Sequence, residues 1–422
     1  MARTSVLAIA LLFSACSPAS YPTGTSQRSS GGPSASATLA ASASLGTDCG
    51  DSRGTAPAPT YTAAIVSIPL GSDACEEFGP LANPQFLDLV NDGPFVAFNA
   101  RDNSHEGDLW YGDLRTKSVK VVYQAAESPT SKTDIWYPQL ASGHLLWLEN
   151  QHEGPTANDP VVAWSLKDMD VASGKVTVLA HDSMPSKVGK MYVAEIRFDG
   201  KRIGLLEALP NGSWQIEIRD LGGKMDGSFR LHDEPLEFAL TSDGVLYSSG
   251  KSDASSGAIG QMHMWHWTSA GGTNEVGTDV FQINADGDLA AWIVDPIASQ
   301  HTTGYSQVQR VYVGNPPYTT GKAVSPVADY NPTKGIDGMA CGSGTIAWWE
   351  REDYDGASLD AMTIWQPGWT SPIQVDTQGN QSVFVSDRGG WLAWAEEIGR
   401  ENAPLQERIR GVPLQVLTDQ RK

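Results

Sequence analysis

"GTIAWWERED", residues 344–353, has an outline that returns along the chain: a glycine turn, a short apolar run closed by an aromatic, then an acidic residue. "GHLLWLENQ" from Gly143 and "GGWLAWAEE" from Gly389 share it. Aligned on the residue that ends the apolar run, the pattern recurs at Phe98, Trp147, Leu205, Tyr247, Trp292, Trp348 and Trp394, spaced roughly fifty residues apart, with insertions of the kind propeller blades carry in their loops. An apolar strand precedes each turn ("FLDLV" at 86–90, "SVFVS" at 382–386). The turns themselves, ending at Gly93, Gly143, Gly200, Gly244, Gly287, Gly344 and Gly390, use the residues a tight hairpin tolerates best.

Downstream of each marker comes an alternating stretch around Trp110, Trp164, Ile216, Trp265, Tyr312, Trp365 or Ile409, the period-two signature of a half-buried strand. A fourth segment closes each unit: "KVVYQ" from Lys120, "KVTVL" from Lys175, "SFRLH" from Ser228, and at the end "LQVLT" at 414–418. The expectation is an all-β fold, a seven-bladed β-propeller of four-stranded antiparallel blades, preceded by a signal peptide and a disordered linker. The marker rings should fill the wedges between blades, which assigns most of the tryptophan to packing rather than to ligand contact. Residues 61–70, "YTAAIVSIPL", read as one further strand, placed either on the outer edge of the last blade or across one end as a brace.

The sequence of strand, "DG" turn, "LAW-E" and loop resembles the extracytoplasmic propellers of the TolB-like and dipeptidyl-peptidase N-terminal type, over about residues 80–420. The strict "SPDG" turn of those repeats is here SDG, ADG, ASG or GSG. Peptidases of that kind carry an α/β-hydrolase domain after the propeller, and this sequence stops after its last blade, so the resemblance implies a propeller without peptidase activity. Its TolB side implies a subunit of an envelope complex.

Residues 1–16 read as a targeting segment: Arg3, then the apolar run Val6 to Phe13, then Ser14, Ala15 and Cys16. Eight apolar residues are too few for a membrane-spanning helix, which needs about twenty. The ending resembles a bacterial lipobox and implies lipidation at Cys16, with an anchor outside the cytoplasmic membrane; cleavage after Ala19 is the alternative and would leave a soluble protein. Residues 17–60, nearly all Ser, Ala, Gly, Pro and Thr, read as a disordered tether of roughly 35–40 Å root-mean-square span. The propeller domain is expected over 61–422. Cys49 and Cys75, in similar polar contexts, are the expected disulfide, and Cys341 is read as a small buried hydrophobe.

With 49 Asp and Glu against 29 Lys and Arg, a net charge of −20, an electrostatic grip on nucleic acid is not expected. Ligand contact is expected on the face carrying the long second-to-third-strand loops. Trp136 and Tyr137 in "DIWYPQ" and Tyr330 in "ADYNP", read in inter-blade linkers on that face, are aromatics outside the marker register and so the candidates for sugar or peptide contact. Glu149, Glu207, Glu350 and Glu396 repeat two places after their markers, read either as an acidic collar or as solvated loop starts paired with neighbours such as Arg101, Arg351 or Arg400; Glu149, Glu350 and Glu396 are carried as ligand candidates. No cofactor is expected; Asp353, Asp355 and Asp360 outline a partial calcium loop, and His105, His152 and His301 are loop histidines with no zinc spacing. The functional expectation is a lipid-anchored, non-catalytic binding module for a protein or glycan. The alternatives are a propeller-type glycoside hydrolase or lyase using Glu350 and Glu396, or the envelope-complex subunit.

Overall fold

The computed structural model describes residues 66–71, 85–101, 107–125, 131–154, 161–183, 194–209, 211–252, 259–294, 309–325, 335–351, 361–375, 381–400 and 403–419. Strand β1 is Val66–Gly71. Blade one follows as β2 Gln85–Asp92, β3 Phe95–Arg101, β4 Asp108–Asp113 and β5 Ser118–Tyr123, and blade two as β6 Thr133–Ala141, β7 His144–His152, β8 Val161–Asp170 and β9 Lys175–Ser183. Blade three is β10 Glu195–Phe198, β11 Arg202–Ala208, β12 Trp214–Asp220 and β13 Met225–Arg230; blade four is β14 Glu234–Leu240, β15 Gly244–Ser252, β16 Ile259–Thr268 and β17 Gly272–Thr278. Blade five is β18 Val280–Asp286, β19 Leu289–Val294, β20 Arg310–Gly314 and β21 Lys322–Ala323; blade six is β22 Gly335–Gly342, β23 Thr345–Arg351, β24 Ala361–Trp365 and β25 Ile373–Val375. The last strands are β26 Gln381–Arg388, β27 Trp391–Arg400 and β28 Ala403–Pro413, before helix α1 Leu414–Asp419. Every sheet is four-stranded, and every pairing is antiparallel.

The first strand of each unit is innermost, and β2, β6, β10, β14, β18, β22 and β26 each touch the next, with β26 returning to β2. The molecule is therefore a β-propeller, a ring of blades around an axis. Its core is divided among the wedges between neighbours, and each wedge is filled by the marker of the later blade. Trp147 packs with Ala97 and Leu109 of blade one, Leu205 with Leu146 and Leu166 of blade two, and Tyr247 with Leu206 and Ile216 of blade three. Trp292 meets Leu246 and Met264, Trp348 meets Ile293 and Val311, Trp394 meets Met362 and Ile364, and Phe98 closes the ring against Ala393 and Ile409. All seven markers are buried. The expected packing role of the marker rings holds at every position.

The turns carry a second set of links. At three turns the residue before the glycine reaches the next blade's turn: Asp92 Oδ2 accepts from Ser142 N at 2.8 Å, Asp286 Oδ2 from Gly344 N at 3.3 Å, and Ser343 Oγ from Gly390 N at 2.7 Å. Arg202 donates to the Thr241 carbonyl, and Ser242 N donates to the Gly287 carbonyl at 2.9 Å. Asn91 Nδ2 donates to the carbonyls of Arg388 and Trp391 at 3.0 and 3.1 Å. At these three turns the short polar residue before glycine has two duties, forming its own hairpin and stapling it to its neighbour. Gly244 is the exception among the expected turn glycines: it is not at positive φ, and a Cβ there would lie 1.9 Å from the Trp267 carbonyl oxygen, so close approach demands the glycine.

The expectation of seven equivalent four-strand repeats is corrected at the end of the chain. Only six blades are complete, contiguous repeats. The remaining sheet has the order β1-β28-β27-β26, so its outer strand comes from the N-terminal side of the propeller. Val66 pairs with Gly411 and Ile68 with Ile409, which settles the two placements open for residues 61–70 in favour of the outer edge. "LQVLT" is consequently not a strand. With the edge of β28 taken by β1, the segment turns into α1, whose Leu414 and Leu417, three apart on one helical face, are buried against the wedge that holds Trp394.

Two outcomes follow for stability. Trp348→Ala should cost about 3–5 kcal/mol, measured by denaturant unfolding, because the ring leaves a cavity between two rigid sheets. Replacing Asp92, Asp286 and Ser343 together by Ala should lower the melting temperature while leaving the far-ultraviolet circular dichroism unchanged, since the staples join blades that fold without them.

Candidate functional site: the central channel

The inner strands are not regular. β2, β6, β14, β18, β22 and β26 each slip register, at Phe86/Asp88, Trp136/Gln139, Pro235/Glu237, Val280/Gln282, Ile336/Gly338 and Ser382/Phe384. A bulge bends a strand and re-aims the side chains beside it. Three of these sites present polar side chains to a shared cluster: Asp88, Tyr137 and Glu237.

Arg197 of β10 is the centre of that cluster. Its Nη2 lies 2.5 Å from Glu195 Oε1 and 3.3 Å from Glu237 Oε1 of the next blade, and its guanidinium sits over the Phe238 ring at 5.4 Å. Glu237 Oε2 in turn accepts from Ile283 N of β18 at 3.1 Å, so a single carboxylate joins the inner strands of blades four and five while pairing with blade three. Asp88 stands on blade one, with blade two between it and Arg197 in the ring, yet the two interact electrostatically. That interaction reaches past blade two, and all the groups involved stand on the inner strands around the axis.

Two carboxylates pair with one guanidinium, and a third, Asp88, acts on it electrostatically. Burial pushes the Asp88 carboxyl up to about 7, only partly offset by the Leu89 N–H and by Arg197. Glu237 is pushed up to about 7 by burial, against the pull of Arg197, and Glu195 is raised for the same reason. Arg197 stays charged: burial opposes its charge, but Glu195 and Glu237 outweigh it. The Tyr137 phenol is raised by burial and by Glu195. The cluster is not sealed, for Glu237 and Arg197 keep 23 % and 24 % of their side-chain surface accessible.

Trp136 and Tyr137, expected in an inter-blade linker, belong to β6. They are half-buried, with ring centroids 6.2 Å apart, and Tyr137 takes φ +52° within the bulge. A left-handed backbone is uncommon for a side chain this bulky, and here it accompanies the slip that turns the phenol toward Glu195 and Arg197. Sequence reasoning missed Asp88, Glu195, Arg197 and Glu237. The available signal was their place on the strand before each turn, next to the residue that pairs with the marker.

The repeated glutamates lie in strands, not in loops. Glu149 of β7 accepts from Tyr123 Oη and Lys167 Nζ, both at 2.7 Å, tying the outer strand of blade one to blade two; Glu207 of β11 accepts from Gln215 at 2.5 Å. Glu350 and Glu396 fall within β23 and β27, paired in register with Ala361 and Arg408; their side chains lie outside the described residues. His152, expected as an exposed loop histidine, is buried in β7 with Nε2 2.9 Å from Asp134 Oδ2. Cys341 is buried on β22, its thiol 3.6 Å from the Leu289 carbonyl. Cys16, Cys49, Cys75, Tyr330, His105, His301, Asp353, Asp355 and Asp360 lie outside the described residues, as does the pentapeptide Gly50-Asp51-Ser52-Arg53-Gly54, which has the Gly-x-Ser-x-Gly form of a nucleophile turn but stands upstream of the propeller. Among the described residues, no group of three or more His, Cys, Asp or Glu is placed to hold a metal ion.

No protein-family model and no curated protein matches the sequence. Solved structures do match in shape. The β-propeller domain of the Trilobed protease from Pyrococcus furiosus, described as having an open velcro topology, superposes with a TM-score of 0.54 at 10% identity, covering 77% of this chain and 95% of that one. Pyrococcus horikoshii acylaminoacyl peptidase superposes at 0.53 with 11% identity over 78% of this chain and 52% of its own, so this chain spans about half of that peptidase. A further acylaminoacyl peptidase, in complex with a chloromethyl ketone, gives 0.52 at 11% identity over 80% and 54%. At such identities the likeness is one of fold. It defines the chain as a β-propeller resembling the propeller domains of this class of peptidase, with its ring closed by β1 on β28.

Arg197→Met should be strongly destabilising, by about 3–5 kcal/mol in denaturant unfolding, because it strands buried carboxylates without their counter-charge. Arg197→Lys should recover part of the loss.

Proposed function

We propose that this protein is a lipid-tethered propeller displayed outside the cytoplasmic membrane, a non-catalytic binding module that takes a protein or glycan ligand at the mouth of its channel. The observation that carries the reading is the cluster of Asp88, Tyr137, Glu195, Arg197 and Glu237, in which charged and hydrogen-bonding groups from four blades converge on the axis and part of their surface stays accessible. Ligand sites favour a concave setting with a few convergent polar groups, and the half-buried Trp136 beside Tyr137 adds an aromatic face for a sugar ring or a peptide side chain. Tether and head divide the work: Cys16 and residues 17–60 hold the propeller at the envelope, and residues 61–422 bind. Similarity to peptidase propellers supports the architecture and brings no substrate with it.

The test is a thermal-shift screen of residues 61–422 against cell-wall and plant oligosaccharides and short peptides. A ligand of the folded state raises the melting temperature when present well above its dissociation constant. The expected result is a shift that Trp136→Ala and Tyr137→Ala each abolish. A shift untouched by both variants would place the site elsewhere. Separately, Cys16→Ser should move the full-length protein from the membrane fraction to the soluble fraction of the cells that secrete it.

A further inference from the structure

One carboxamide in blade two is not explained by the packing of the ring. Asn150 of β7 is 1 % exposed, and among the described residues neither its Oδ1 nor its Nδ2 has a hydrogen-bond partner. A carboxamide buried in that state destabilises the fold, because it gives up its bonds to water and receives none in return. Nor does the repeat require it. Asn150 stands three residues after the marker Trp147, and the same place in blades three and four holds Ala208 and Gly250. A polar group that weakens the fold and that packing does not need is matched by a partner from outside the chain.

Strand register fixes where the carboxamide points. Leu148 packs with Ile196 and Leu205 of blade three, and side chains two apart on a strand share a face, so Asn150 is turned toward the same seam. Across the sheet it is flanked in one row by Asp134 of β6 and Trp164 of β8. Trp136 stands in the adjacent row, opposite Leu148. Asp134 and Trp136 are half-buried, so this face is not closed over. The buried His152 holds Asp134 in place, with Nε2 2.9 Å from Oδ2, while Lys132 Nζ stands 3.8 Å from Oδ1, beyond hydrogen-bond reach. That second oxygen can still accept.

We propose that Asp134, Trp136 and Asn150 form a saccharide subsite on the face of blade two turned toward blade three. The carboxamide and the carboxylate take two neighbouring hydroxyls of one sugar ring, and the Trp136 indole lies along its C–H face. The subsite rests on the reading of the protein as a binding module and narrows the ligand to a glycan. Each sugar hydroxyl both donates and accepts; Asn150 offers a donor and an acceptor side by side, and Asp134 a further acceptor. A peptide read through its backbone adds to a sheet edge, whereas these groups stand on a sheet face. With so little of Asn150 exposed, the hydroxyls reach it by inserting beside Trp136 and displacing side chains, so binding carries a local rearrangement of the seam.

The experiment compares the full chain with its Asn150→Leu variant by thermal shift, alone and with cellotetraose, chitotetraose, xylotetraose or the peptide tetra-alanine. Any sugar that shifts the wild type is tried again with every hydroxyl methylated. Without ligand, Asn150→Leu should melt a few degrees above wild type, since a leucine of similar volume leaves nothing unpaired. At least one sugar should raise the melting temperature of the wild type, and the affinity of the variant for it should be about ten-fold weaker or less. The methylated sugar keeps its ring and its acceptors but has no hydroxyl donors, and should shift neither protein. A variant that melts below wild type, or does not fold, would overturn the proposal, because the carboxamide would then be serving the fold. So would a sugar shift that is equal in the two proteins or that survives methylation; the binding reading would then stand with its site elsewhere. A shift with tetra-alanine and with no sugar would keep the binding reading and remove the subsite. No shift with any of the four would remove both.

Discussion

A ring of sheets has no single core, and the wedge between adjacent blades is the constraint on which everything else here depends. Each blade is too thin to bury an apolar face alone, so one face serves the neighbour before it and the other the neighbour after. That is why one large or branched residue recurs on the second strand of every blade, and why Phe98, Trp147, Leu205, Tyr247, Trp292, Trp348 and Trp394 differ in chemistry but share burial. The wedge accepts whatever ring or branched chain fills it. Since it exists only when two blades are present, stability is distributed around the circle in units of interfaces, and the last interface, where Phe98 meets Ala393 and Ile409, joins the first blade to the final sheet.

This arithmetic of interfaces explains which parts of the structure were legible in the sequence. The marker positions were, because a wedge imposes the same demand at each repeat and insertions fall in loops that leave the demand unchanged. The turn glycines were, because most sit at positive φ, and Gly244 was placed correctly for a different reason, the approach of the Trp267 carbonyl. The seventh sheet was not. Its outer strand is chosen by a competition between "LQVLT" and "VSIPLG" for the edge of β28, and local pattern says nothing about which of two apolar segments at opposite ends of a chain wins.

The site was legible only in part, and for a physical reason. Strand residues beside the axis are identified by which way they point, and a bulge changes that direction without changing composition. Tyr137 could be singled out because it broke the aromatic register, although its setting, a strand and not a linker, was hidden by the slip between Trp136 and Gln139. Asp88, Glu195 and Glu237 looked like ordinary acidic residues in a chain with 49 of them. What distinguishes them is convergence from separate blades, a property of the closed ring. Glu149 shows the reverse case: its repetition in the sequence suggested a collar, while in the fold it is bound between Tyr123 and Lys167 as part of the join between blades one and two.

The closure by β1 sets an order of events in biosynthesis. The strand that completes the final sheet is made before the six contiguous blades and its partner β28 after them, so β1 must wait through their synthesis before its hydrogen bonds can form. A nascent or truncated chain lacking β28 carries an unpaired β1 and, close to it in the chain, an incompletely filled wedge beside Phe98. Ring closure thereby reports that both β1 and β28 have been made: only a propeller with both strands present can cover its edges.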